Sequence, residues 1–146
     1  MDSTDGVADL HMHTVASDGT CSVADRGRQA RERGLDAIAI TDHDSVSTEI
    51  EDRRTVVDGL ERIAGVEVRA DVQETKIELL GYFVDPDDKR LADVLAEVRE
   101  YRLDRNRNII EQLHETTSLA RSYDDIRGKA DGILGRPHIA NVLIEE

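Results

Sequence analysis

Five histidines occur in this 146-residue chain, and three of them fall where the chain pattern places strand ends. Asp9-Leu10-His11-Met12-His13 comes first. Residues two apart on an extended chain point to the same side. His11 and His13 can therefore converge on one ion, with Asp9 orienting a ligand from behind. A partly buried, hydrogen-bonded histidine pair is the competing explanation. Asp42-His43-Asp44 directly follows the apolar run Leu35–Ile40. In parallel α/β folds ligands gather at the carboxyl ends of strands, so a histidine between two carboxylates there points to function. The alternative is an Asp that caps a helix beside a bystander histidine. Glu67, Asp18 in Ser17-Asp18-Gly19, and His138 in Arg136-Pro137-His138 carry little signal one by one. Together, His11, His13, Asp18, His43, Glu67 and His138 form a nitrogen and oxygen donor set that contains no thiolate. Such a set suits Zn, Mn or Fe in a hydrolytic site of two or more ions. It excludes a cysteine-rich structural zinc site, since Cys21 is the sole cysteine.

The elements that must position these residues alternate in type. Gly6–Leu10 reads as a short strand that runs into a polar loop. Ser22, with Asp25 three residues on, caps a helix to about Arg33, and Gly34 stops it. Leu35–Ile40 is a continuous apolar strand of the kind buried on both faces. Thr48 and Glu51 mark a second capping box, which predicts a helix through about Leu60. Ile63–Val68 and Ile77–Val84 read as further strands, giving an α/β arrangement with a mainly parallel sheet. Beyond Asp85-Pro86-Asp87-Asp88 the pattern turns helical. One long helix or two joined ones fill 88–115, a short helix covers Ser122–Ala130, and a last one follows Pro137.

Composition narrows the functional classes. Asp and Glu number 32 against 19 Lys and Arg, for a formal net charge of −13. That balance argues against a protein held to nucleic acid by a broad basic surface. It leaves room for a small phosphorylated substrate, because bound metal reverses the field locally. Only Lys76, Lys89 and Lys129 of the basic residues are lysine, a pattern compatible with solubility in high salt or with acidic drift. A single cysteine permits no intramolecular disulfide. No apolar run is long enough to span a membrane, and the acidic start MDSTDGVADL has no apolar signal segment. A cytoplasmic protein is the expectation. The length falls short of the about 250 residues of a full eight-fold barrel.

The segments DLHMHTVASDGT, ITDHD, GVEV, ELLGYFVD and GRPHIANVL, in this order, resemble the PHP (polymerase and histidinol phosphatase) family over about residues 8–144. The likeness is strongest to its small stand-alone phosphoesterases, some of which remove phosphate from nucleoside 3′,5′-bisphosphates or trim RNA from the 5′ end. The resemblance implies the N-terminal part of a distorted (β/α)7, TIM-like barrel with up to three divalent metal ions. It divides the chain into an α/β half-barrel over 1–84 and an inserted helical subdomain over 85–146. It further implies that His11 and His13 bind one metal, that Asp18 and His43 contribute to another, and that Glu67 bridges. His138 would reach back as a ligand or phosphate contact, and Arg136 would pair with a substrate phosphate. Glu78 stands where the family usually has histidine, and a carboxylate can replace imidazole as a metal ligand. The family continues past the insertion to an Ala-His-Pro and an Asp-x-His motif. The sequence ends at Glu146 without them, and so reads as a fragment of a longer protein or as a naturally shortened relative.

The expected function is therefore metal-dependent phosphoester hydrolysis by metal-activated water, on a nucleotide or short RNA. Asp18, His43 and Arg136 are the expected catalytic residues. A non-catalytic remnant, binding metal or serving assembly through an open sheet edge that pairs between subunits, is the alternative. Metal-assisted amide hydrolysis is a related option. Arg99, Arg102, Arg105 and Arg107 alternate with Glu97, Glu100, Asp104 and Glu111 and are expected on a solvated helix face. A nucleic-acid contact through that helix is the minority reading.

Overall fold

The apolar run Ala37–Ile40 forms a strand whose Ile38, Ala39 and Ile40 are all buried. The sheet also gives this strand a hydrogen-bonded neighbour on each edge. The computed structural model describes residues 6–72, 75–130 and 132–145. Its elements are β1 (Ala8–Met12), α1 (Val23–Glu32), β2 (Ala37–Ile40), β3 (Arg54–Val57), β4 (Leu60–Val72), β5 (Thr75–Tyr82), α2 (Lys89–Thr116), α3 (Tyr123–Arg127) and α4 (Arg136–Glu145). The sheet runs β1-β2-β4-β3, with β5 paired to the far half of β4. Strands β1 and β4 flank β2 in parallel. The β2–β4 offset persists past the strand, because His43 bridges Glu67 in the same parallel sense. The ends of β1, β2 and β4 thus lie side by side.

Helix α1 starts where expected. The Ser22 hydroxyl accepts the Asp25 N–H, and Gly34 takes φ 72° just beyond the end. Val23, Gly27 and Ala30 face inward. Val23 and Ala30 meet Ile38, Ile40, Ile50, Leu60 and Ala64 in one apolar cluster. A second cluster gathers Ile110, Leu119, Ile126, Leu134, Ile139 and Val142 between the C-terminal helices. Residues 89–116 form one continuous helix, not two joined ones. Ser122 and Asp125 close a full capping box on α3.

Two expectations are corrected. Residues Thr48–Leu60 do not form a helix: β3 folds back on β4 as an antiparallel hairpin. Its two turn residues, Asp58 (φ 51°) and Gly59 (φ 79°), both lie in the left-handed region, as a two-residue primed turn demands. The β-branched Thr55-Val56-Val57 then favours the extended chain. The sheet is also mixed and not mainly parallel, since β3 and β5 both run antiparallel to β4. A two-residue link is too short for a parallel crossover, which needs a dozen residues or more.

The C-terminal segment is pinned to the loop after β1. Ile133 N–H donates to the Ala16 carbonyl at 3.3 Å. The fully buried Asn106 of α2 donates its side-chain amide to the Leu134 carbonyl at 2.6 Å. Gly132 permits this approach, because a Cβ there would lie 2.3 Å from the Val15 carbonyl oxygen. Among the described residues, no helix is long and apolar enough to cross a membrane.

The close approach at Gly132 yields a first prediction. Gly132→Ala will lower the unfolding free energy by more than the about 0.5 kcal/mol of an ordinary surface change, measured by urea denaturation. An unchanged midpoint would show that the segment does not need this contact.

Candidate metal centre and its arginine cavity

The loop after β1 is held from inside. Asp42, at the end of β2, is fully buried together with Thr14, and Ser17 is nearly so. The Thr14 N–H and hydroxyl each donate to the Asp42 carboxylate at 2.7 Å, and the Ser17 hydroxyl donates at 2.6 Å. Glu67 N–H donates to the Asp42 carbonyl at 3.1 Å, and Asp44 N–H donates to the Glu67 carbonyl at 2.9 Å. Three strand ends are thereby laced together, and His13, Asp18, His43 and Glu67 are carried on them. Asp42 is thus no helix cap but the residue that fixes the loop.

The donors converge. Glu67 Oε2 lies 3.1 Å from His11 Nε2, 2.9 Å from His13 Nε2 and 3.4 Å from His43 Nδ1. Asp18 contacts His13 Nδ1 at 2.7 Å and His43 Nε2 at 3.6 Å. Bonds of about 2.05 Å to one tetrahedral ion separate its ligands by roughly 3.3 Å, so these spacings fit donors that share an ion. Two adjoining groups result, His11-His13-Glu67 and His13-Asp18-His43. The Glu67 side chain is only 3% exposed, and His43 Nδ1 is buried without a hydrogen-bond partner among the described residues. A buried carboxylate beside an unpartnered imidazole nitrogen is what a bound cation would resolve.

The charges agree with that reading. The hydrogen bond with Asp18 holds the His13 pKa above its ordinary value, against the opposing effect of burial. The same bond lowers Asp18 to about 2. Burial pushes His43 down, although Glu67 and Asp18 pull the other way. A neutral His43 and an ionised Asp18 are the forms that ligate metal.

Beside Asp18 and His43 opens a cavity of about 290 Å³, lined by Arg69, Arg102, Arg105 and Arg136 together with Glu78. The expected solvated face of α2 is corrected here in part. Arg107 does pair with Asp104 in the open. Arg102, however, is 11% exposed, and its Nε donates to the buried Asp44 carboxylate at 2.5 Å. Arg99 donates to the Asp44 carbonyl at 2.8 Å. Burial lowers the Arg105 pKa, and the positive charges of Arg102, Arg69 and Arg136 add to the effect. Four guanidinium groups around one cavity form a site for an anion of phosphate type. Arg69 carried a readable signal: it lies two residues beyond Glu67 on β4, hence on the same face, and opposite Glu78 in the β4–β5 register.

The remaining sequence-derived candidates fall differently. Arg136 opens α4 and lines the cavity. Glu78 lines the cavity and joins neither donor group, and His138 joins neither as well. The His138 Nδ1 instead accepts the Gly135 N–H at 3.0 Å at the start of α4.

Comparison with known proteins agrees with this geometry. The PHP domain family matches residues 9–142. The 5′-3′ exoribonuclease of Haemophilus influenzae is 30% identical over 94% of this chain and 50% of its own length. The 3′,5′-nucleoside bisphosphate phosphatase of Chromobacterium violaceum is 29% identical over 94% of this chain and 49% of its own. A solved structure from Bifidobacterium adolescentis, assigned to the metal-dependent phosphoesterases, superposes with a TM-score of 0.78 at 30% identity, covering 97% of this chain and 50% of that one. The chain thus spans about half the length of these relatives.

The His13–Asp18 pair generates a pH prediction for chelator-treated protein. His13, raised from 6.5, contributes stability that is complete below 6.5 and lost as pH climbs through its folded value. Asp18, lowered from 3.8 to about 2, contributes stability that is complete above 3.8 and lost as pH falls through about 2. Asp18→Asn will therefore depress the melting temperature most between about pH 4 and 6.5, with the gap closing as pH climbs through the raised His13 value. A gap independent of pH would show that the pair is not ionised as described.

Proposed function

The chain belongs to the PHP domain family, and from that premise we propose that it is a metal-dependent phosphoesterase acting on a nucleotide or short RNA. One observation carries the reading: a His/Asp/Glu donor cluster opens directly onto an arginine-lined cavity, with Asp18 and His43 belonging to both. The donor set fits divalent ions of the Zn, Mn or Fe kind. His11 and His13 would hold one and Asp18 and His43 another, with Glu67 between them. Such ions, when bound, make hydroxide available near neutral pH and neutralise phosphoryl oxygens.

The chain's own residues supply the rest. Arg136, Arg102 and Arg105 orient the phosphate from the cavity side by bidentate hydrogen bonds. Asp44 holds Arg102 in place from behind. Glu78 lines the substrate side and, across the strand pair from Arg69, limits how much negative charge the cavity accepts. The names of the nucleotide- and RNA-directed relatives support the substrate class. The same reading takes the sheet as the first part of a distorted seven-fold barrel. In support, the outer edge of β1 has no partner strand among the described residues, and Val7 and Leu10 are exposed along it. That edge is where a further strand, or a second copy in a homo-oligomer, would pair.

Phosphate release from adenosine 3′,5′-bisphosphate and from p-nitrophenyl phosphate, with amide substrates alongside, tests the proposal. With Mn²⁺ or Zn²⁺ the esters will be hydrolysed and the amides will not. Chelator will abolish the activity. His43→Ala will reduce kcat/KM by roughly a hundredfold or more, and Arg136→Ala will act mainly through KM, in line with lost phosphate binding. Ester hydrolysis that is absent, or indifferent to chelator and to both substitutions, would contradict it.

A further inference from the structure

The arginine cavity does not end at the metal-binding groups. A second cavity, of about 360 Å³, shares Arg69, Arg102 and Arg105 with the first and continues to Asp44, Val98 and Tyr101. On α2, Val98, Tyr101, Arg102 and Arg105 stand at i, i+3, i+4 and i+7, so one face of the helix presents all four. Tyr101 is 79% exposed. An aromatic ring left in water beside guanidinium groups is the combination by which proteins hold single-stranded nucleic acid: charge follows the backbone and the ring stacks on a base. Val98, half-buried, adds apolar floor next to the ring. The Arg105 Nε is buried with no hydrogen-bond partner among the described residues.

We propose that this face of α2 is a nucleoside subsite, in which Tyr101 stacks on the base while Arg69, Arg102 and Arg105 hold the phosphate next to it. The inference rests on the phosphoesterase reading for what lies at the neighbouring metal-binding groups, and it goes further by naming the residue that distinguishes a nucleotide from a plain sugar phosphate. The long axis of the substrate then follows α2, from Arg136 and Asp18 at one end to Tyr101 at the other. Three carboxylates bound this path. Asp44 is already engaged by Arg102, Asp18 belongs to the metal-binding groups, and Glu78 lies beside it.

The test is direct binding to the full 146-residue chain, measured by calorimetry in the presence of chelator so that no turnover occurs. The probes are adenosine 5′-monophosphate and ribose 5-phosphate, which share the phosphate and differ in the base. The nucleotide will bind about tenfold tighter or more, within the range of roughly 5- to 150-fold that stacking of one base on an aromatic ring provides. Tyr101→Ala will bring the ratio close to one. Tyr101→Phe will keep it, because the ring face and not the hydroxyl makes the contact. A ratio near one in the unaltered chain, a ratio that survives Tyr101→Ala, or no binding of either probe would overturn the proposal. The two readings fail separately. Loss of the phosphoesterase reading appears as absent metal-dependent hydrolysis with base selectivity intact. Loss of the subsite appears as absent selectivity with hydrolysis intact.

Discussion

The Asp42 carboxylate, sealed from water, takes hydrogen bonds from the Thr14 N–H, the Thr14 hydroxyl and the Ser17 hydroxyl, and the geometry of the site depends on this one acceptor. Removing a buried acceptor strands its donors at about 1–3 kcal/mol each. The loop from His13 to Asp18 is therefore fixed to the end of β2 by an interaction that has no exposed substitute. His13 and Asp18 ride on that loop, and His43 is the next residue after Asp42. Glu67 joins through its backbone to Asp42 and Asp44, so the fourth side chain is tied to the same point. Four donors come together because one buried carboxylate and one parallel strand register leave them nowhere else to be.

The site also resolves a contradiction in the charge. A chain of net charge −13 is a poor partner for phosphate at long range. Over a few ångströms the sign reverses, because Arg69, Arg102, Arg105 and Arg136 surround one cavity. Holding them together costs repulsion, which adds to burial in lowering the Arg105 pKa. Asp44 offsets part of that cost from a backbone conformation, φ 51°, that Asp tolerates better than most residues. Four guanidinium groups thus gather at the cleft, where low dielectric strengthens what they do.

Much of the donor set was legible in the sequence, and for a physical reason. A period of two puts His11 and His13 on one side of a strand, and the abrupt end of an apolar run marks where β2 delivers His43. Arg102 and Arg105 were not legible. Their spacing among Glu97, Glu100 and Asp104 is that of a wet helix face, and only the docking of α2 against Asp44, 58 residues away in sequence, buries the arginine side. The β3–β4 hairpin was missed because Thr48 and Glu51 imitate a capping box. The decisive signal lay later, in Asp58-Gly59, whose left-handed conformations a helix cannot contain. Glu78, which the resemblance offers as a metal ligand, and His138, which it offers as a ligand or phosphate contact, stand outside the two donor groups.

The central claim is that the strand-end donors bind divalent metal, and anomalous diffraction from crystals of this chain grown with Mn²⁺ tests it most directly. The account predicts a peak bonded to His11 Nε2, His13 Nε2 and Glu67 at about 2.0–2.3 Å, with further density at Asp18 and His43. Manganese found only at exposed surface carboxylates such as Asp85–Asp88, with nothing between His13 and Glu67, would contradict it.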